Sequence, residues 1–171
     1  MKKLSTKKLV ITALLMALTT VATMFIRIPL PLGYVNLGDV FVLLSVFILG
    51  PIWGTIAGGV GSGIADLIGY ISYAPGTLII KSCMALCAYA IYVLMFKLTK
   101  KQMISQIVGG IVGALVMAFG YFFYEILFFA TAGVAIVNVP WNLLQGAVGV
   151  TLSVIVMKAL TVTKAIERLN D

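Results

Sequence analysis

Apolar residues run through this chain in long unbroken blocks, and the blocks are divided by short breaks rich in proline, glycine or asparagine. Leu9–Ile26 holds 18 residues without a charge and Met103–Tyr124 holds 22. A helix rises ~1.5 Å per residue, so about 20 apolar residues cross a hydrocarbon core of ~30 Å. The blocks predict six helices, at about Lys8–Ile28, Gly38–Leu49, Pro51–Tyr70, Gly76–Leu98, Gln102–Thr131 and Val139–Thr161. Gly50-Pro51 divides the second from the third, because proline cannot continue a helix but opens the next one well. The second helix is short, ~18 Å by its rise. It is therefore tilted, held inside the bundle, or continuous through the break. Connecting loops fall near Pro29–Asn36, Ile71–Pro75 and Ala132–Val139. No internal repeat and no polar block for a second domain is visible. The expectation is one transmembrane domain over residues 1–171, all-α, a compact six-transmembrane-helix bundle.

Composition and charge turn this into a topology. Apolar residues make up 62% of the chain and charged ones 10%, far from a soluble domain. Ten of the twelve Lys and Arg fall in three groups: Lys2, Lys3, Lys7 and Lys8; Lys97, Lys100 and Lys101; Lys158, Lys164 and Arg168. The positive-inside rule places all three in the cytoplasm, and with them both termini. The net charge of +7 then reflects topology and anionic lipid, not nucleic acid. The basic start followed by an apolar run has the build of a secretory signal. The run is long enough to span, however, and reads as the first membrane helix.

Polar residues inside the blocks gather at one level. Arg27 lies at the outer end of the first helix; Asn36 and Asp39 begin the second; Asp66 and Tyr70 end the third. Thr77 and Lys81 begin the fourth; Tyr121, Tyr124 and Glu125 end the fifth; Asn138, Trp141, Asn142 and Gln145 begin the sixth. All belong to the outer half of the membrane, and nothing comparable is expected in the inner half. A charge in a span costs a few kcal/mol or more unless paired, turned inward or hydrated. The i,i+4 pairs Asp66/Tyr70, Thr77/Lys81, Tyr121/Glu125, Asn138/Asn142 and Trp141/Gln145 each share a helix face. Such faces suit an outward-facing aqueous pocket for a small, polar, aromatic solute. The candidate binding residues are Asn36, Asp39, Asp66, Tyr70, Lys81, Tyr121, Glu125, Trp141, Asn142 and Gln145. Simpler roles stand beside this one. The tyrosines and Trp141 suit an interfacial belt, Lys81 can neutralise Asp66 or Glu125, Asp39 can cap its helix, and Arg27 can snorkel to headgroups.

Several chemistries are disfavoured. Histidine is absent, and Cys83 and Cys87 do not make a metal site by number or spacing. No G-x-S-x-G occurs, so an intramembrane enzyme is disfavoured. GGVGSG at 58–63 resembles a phosphate loop but lacks the Lys-Ser/Thr end and lies in a span; close helix packing is expected there. The chain binds no cofactor of its own, so ATP-driven work needs partners. Ala13 and Ala17 share a face of the first helix, either for internal packing or as a smooth docking stripe.

Several blocks in order are similar to one family: the basic start with Ala13-Leu-Leu-Met-Ala17, VNLGDVFVLLSVFILGP at 35–51, WGTIAGGVGSGIADLIGY at 53–70, YAPGTLIIK at 73–81 and VPWNLLQGAVG at 139–149. The chain resembles the S components of energy-coupling factor (ECF) vitamin transporters, near their riboflavin, pyridoxine and hydroxymethylpyrimidine group. The resemblance implies six helices and an outward pocket for a water-soluble vitamin. It also implies a transmembrane T component docking on Ala13/Ala17, two cytoplasmic ATPases, and delivery by toppling in a prokaryotic plasma membrane. A B6-type pyridine or the related pyrimidine is the first expectation for the substrate and riboflavin the second. The competing reading is a self-sufficient proton-coupled carrier with Glu125, Asp66 and Lys81 as its relay.

Overall fold

The structure, a computed structural model, describes residues 6–30, 32–129 and 131–163. Lys2, Lys3, Lys164 and Arg168 lie outside the described residues. Helix α1 (Thr6–Phe25) leads into a small antiparallel hairpin of β1 (Arg27–Pro29) and β2 (Tyr34–Asn36). Helix α2 (Gly38–Leu49) follows, then α3 (Pro51–Thr55), a π-helical turn (Ile56–Val60) and α4 (Gly61–Gly69). The long helices α5 (Ala74–Thr99) and α6 (Gln102–Phe128) come next, then the short α7 (Ala132–Ala135), a 3-10 turn (Ile136–Asn138) and α8 (Val139–Val162).

Four helical segments are long and apolar enough to cross a membrane: Thr6–Phe25, Ala74–Thr99, Gln102–Phe128 and Ala132–Val162. The expected boundaries hold to within a turn for most elements. Two expectations need correction. The fold is all-helical as expected, but the loop expected at Pro29–Asn36 forms a short hairpin that pairs Arg27 with Asn36 and Ile28 with Val35. The third outer loop carries helical turns from Ala132 to Asn138.

Helix α2 is short because it sits at the centre. Val42, Leu43 and Val46 are fully buried and pack with Met84 and Ala88 of α5, Met117 of α6 and Val150 of α8. A 12-residue helix that faces protein on nearly every side need not match the bilayer's thickness. It turns back at Gly50, which holds φ +81, a left-handed region that favours glycine. The returning α3 then lies so close that a Cβ on Gly54 would sit 2.5 Å from the Ser45 carbonyl oxygen and 2.6 Å from Val46 N. Backbone cannot yield there, so Gly54→Val is expected to cost several kcal/mol, at least the ~1–3 of ordinary overpacking. A loss of folded protein on size-exclusion chromatography in detergent checks it.

The glycine-rich stretch packs helices, as its reading as a packing surface requires. A Cβ on Gly58 would meet Val42 of α2, and one on Gly61 would press on Met16 and Thr19 of α1. Antiparallel α5 and α6 touch along their length where Gly120 admits Ile80 and Gly113 admits Met84 and Ala88. Side chains at the end of α4, the start of α5, the end of α6 and the start of α8 meet one another. Lys7, Lys8, Lys97, Lys100, Lys101 and Lys158 therefore fall at the bundle's opposite end, all exposed.

Candidate solute-binding site

The polar end is assembled from three linked clusters. In the deepest, Lys81 of α5 pairs with Asp39 Oδ1 of α2, both almost completely buried. Gln145 Nε2 of α8 donates to Asp39 Oδ2 at 2.7 Å, and Gln145 Oε1 accepts the Asn36 backbone N–H at 2.6 Å. Asp39 does not cap its helix. Asn36 Oδ1 accepts the Gly38 N–H at 2.8 Å instead, which leaves Asp39 in the first turn where a negative charge suits the helix dipole.

The second cluster centres on Asp66 of α4. Tyr34 of β2 and Thr77 of α5 each donate to one of its carboxylate oxygens. The Tyr121 hydroxyl stands 2.9 Å from Thr77 Oγ1. Burial, followed by the Asp66 charge, pushes the Tyr34 hydroxyl far above its usual range, so it remains a donor at any physiological pH. The third cluster centres on Glu125 of α6. Its Oε1 accepts from Asn138 Nδ2 at 3.0 Å and from the Tyr73 hydroxyl at 3.4 Å. The same Asn138 amide donates to the Leu32 carbonyl at 2.8 Å.

The hairpin closes over this end and is tied at several points. Tyr34 reaches α4, Leu32 reaches Asn138, Asn36 reaches α8, and Gly33 lies against the Tyr73 ring. Arg27 stacks its guanidinium 5.6 Å from the Tyr34 ring centre and 5.3 Å from that of Tyr70. It is thus drawn onto the site's aromatic rim rather than left to reach for headgroups. Beneath the hairpin remains a cavity of about 20 Å³, lined by Leu30, Leu32, Gly33, Tyr34, Asn36, Asp66, Tyr73, Tyr121, Glu125 and Asn142. That is room for about one water.

Of the ten candidate binding residues, Asn36, Asp66, Tyr121, Glu125 and Asn142 line the cavity. Asp39, Lys81 and Gln145 lie beneath it, bonded to one another. Tyr70 packs tilted against Tyr34, ring centres 4.6 Å apart, outside the cavity. Trp141 departs most from expectation. It is 44% exposed and borders a separate apolar groove with Ile26, Ile28, Val35 and Leu144. Ala13 and Ala17 are exposed on α1, so internal packing does not account for them.

Sequence reasoning missed Tyr34 and Tyr73, which fall in stretches expected as loops, where an aromatic residue reads as rim rather than wall. It also expected nothing comparable in the inner half. Ser105, Gln106 and Ser153 are buried there. The available signal was Gln106 itself, an amide within an apolar span. Among the described residues, no three of His, Cys, Asp and Glu are grouped to hold a metal ion.

Three kinds of comparison meet this geometry. The family described as ECF-type riboflavin transporter, S component, matches residues 3–162. This chain belongs to that family. An uncharacterized protein of Pyrococcus woesei is 40% identical over 104 residues, covering 60% of this chain and 67% of the relative. Among solved structures, the S component of a bacterial ECF transporter superposes with a TM-score of 0.73 at 23% identity, covering 91% of this S component and 95% of that chain. A truncated transition-metal transporter gives a TM-score of 0.73 at 22% identity, covering 94% of this chain and 83% of that one. At such identities the two superpositions speak for the fold alone. As a member of this family the S component is a substrate-binding subunit of a membrane transporter, and the family works with T and ATPase partners.

Proposed function

We propose that this S component captures a small water-soluble vitamin at the polar end, beneath the β1–β2 hairpin. It then passes the vitamin inward by toppling, together with a T component and two cytoplasmic ATPases. In this reading the chain crosses a prokaryotic plasma membrane six times with both ends in the cytoplasm. The family's description favours riboflavin, and a B6-type pyridine and hydroxymethylpyrimidine are the competitors.

One observation carries the reading: the cavity wall is rich in acceptors that the protein leaves unsatisfied. Asn142 is 5% exposed, and its side chain makes no hydrogen bond among the described residues. Among the described residues, Glu125 Oε2 in the wall is buried without a partner, as is Asn138 Oδ1 next to the wall. A buried polar atom left unpaired costs ~1–3 kcal/mol, which a bound solute presenting hydroxyl or N–H donors recovers. The hairpin acts as a lid. Ligand pockets typically hold ~300–1,000 Å³, far more than this cavity, so admission requires the hairpin ties to loosen.

Two readouts test this. Mass spectrometry of small molecules released from the purified protein is expected to yield a vitamin. Calorimetry with riboflavin, pyridoxine and hydroxymethylpyrimidine then ranks them. Asn142→Ala is expected to weaken binding by about 1–3 kcal/mol with an unchanged melting temperature, because its amide serves no partner in the fold. Gln145→Ala is expected to lower the melting temperature as well, because it holds both Asp39 and the hairpin. Unchanged affinity in Asn142→Ala defeats the pocket assignment. Uptake by the chain alone into liposomes under a pH gradient, without ATP, would favour the proton-coupled carrier.

A further inference from the structure

At the opposite end of the bundle, the start of α6 and the end of α8 enclose a groove of about 180 Å³ lined by Gln102, Met103, Gln106, Val154, Lys158 and Thr161. Its chemistry is that of an anion seat. Gln106 is 3% exposed, and its Nε2 has no hydrogen-bond partner among the described residues. Lys158 is exposed on the facing helix and has no carboxylate partner among the described residues. Helix α6 begins here after Lys101 with no side-chain cap and no acidic residue in its first turn. Its free N–H groups and the positive end of its dipole are therefore not neutralised locally. Met103 and Val154 make the rest of the wall apolar.

We propose that this groove binds the phosphate of an anionic phospholipid. The amide of Gln106 donates to a phosphate oxygen, Lys158 neutralises its charge, and an acyl chain lies along Met103 and Val154. The apolar wall selects a lipid over free phosphate, and the cation selects an anionic headgroup over a zwitterionic one. Occupancy gives the buried amide of Gln106 the partner the fold denies it. It also ties α6 to α8 at the end opposite the solute site.

Native mass spectrometry of the full chain, released from micelles doped with phosphatidylglycerol or phosphatidylcholine of matched acyl chains, reads this directly. The wild type is expected to retain phosphatidylglycerol about five-fold over phosphatidylcholine, the discrimination one lysine near a membrane surface supplies. Lys158→Ala is expected to abolish the preference and Lys158→Arg to keep it. Gln106→Leu, close in volume, is expected to reduce phosphatidylglycerol retention with no loss of monodispersity, while Lys97→Ala, outside the groove, leaves it unchanged. Lys158 is exposed, so its variants fold even where Gln106→Leu does not. Equal retention of the two lipids, equal behaviour of wild type and Lys158→Ala, or displacement of the lipid by millimolar inorganic phosphate would each overturn the proposal. So would a protein segment from a co-purified partner seated in the groove in place of lipid.

Discussion

Replacing Lys81 by methionine is expected to destabilise the protein by about 3–5 kcal/mol, the range for removing one member of a buried ion pair. Asp39 is completely buried and keeps only the Gln145 amide as a partner once the ammonium is gone. It has no room to move on the side of α8, which passes so near that a Cβ on Gly149 would lie 2.8 Å from Asp39 Cβ. The consequence spreads upward. Gln145 also holds the Asn36 N–H at the base of the hairpin, so an uncompensated Asp39 disturbs the lid and weakens solute binding. Lys81 further stands 5.4 Å from the Tyr121 ring centre, and Tyr121 lines the cavity. The compensating variant is Asp39→Asn on Lys81→Met. Asparagine fits the tight space beside Gly149 and still accepts from Gln145, so the double variant is expected to regain most of the lost stability. Thermal unfolding in detergent measures both. A single variant as stable as the wild type would mean that the pair carries no structural weight.

The helices were legible because a membrane span announces itself by length and apolarity alone, and α2 showed its true bounds through Gly50-Pro51 at one end and Gly38 at the other. The depth of the polar residues was legible too, since each helix carried them at the same end. What sequence could not supply was partner choice. Lys81 had three carboxylates in reach by topology, and only packing selects Asp39. Nor could it foresee the hairpin. Strands of three residues are too short to show a period of two, and prolines at 29 and 31 read as loop. Trp141 was assigned inward by its i,i+4 relation to Gln145. The face is wide enough that Gln145 turns to Asp39 while Trp141 stays at the lipid boundary, where an indole is at home. Gln106 shows the opposite failure, a polar residue in the half of the bundle taken to be dry.

The pair Ala13→Trp and Ala17→Trp is expected to abolish co-purification with a T component while leaving vitamin affinity intact. Helix α1 buries Thr12, Leu15, Thr19, Ala22 and Thr23 against the bundle and leaves Ala13 and Ala17 on its outer face. Leu14 and Leu18 beside them are 58% and 37% exposed, so the alanines form a shallow strip between larger side chains. Water does not drive helices together within a bilayer. Association there depends on close backbone approach, which small residues allow. Two indoles on that strip hold the partner helix away, at about 1–3 kcal/mol for each overpacked position. Together they weaken assembly about 30-fold or more. The substitutions face lipid in the free protein, where tryptophan is tolerated, so folding is not the variable. The strip also lies more than one helical turn from Arg27 and the hairpin, which keeps the solute site out of the comparison. Affinity purification of the assembled transporter, run beside calorimetry on the isolated chain, separates the two effects. Undiminished co-purification would assign docking to another face. Loss of vitamin binding in the isolated chain would show that α1 communicates with the cavity.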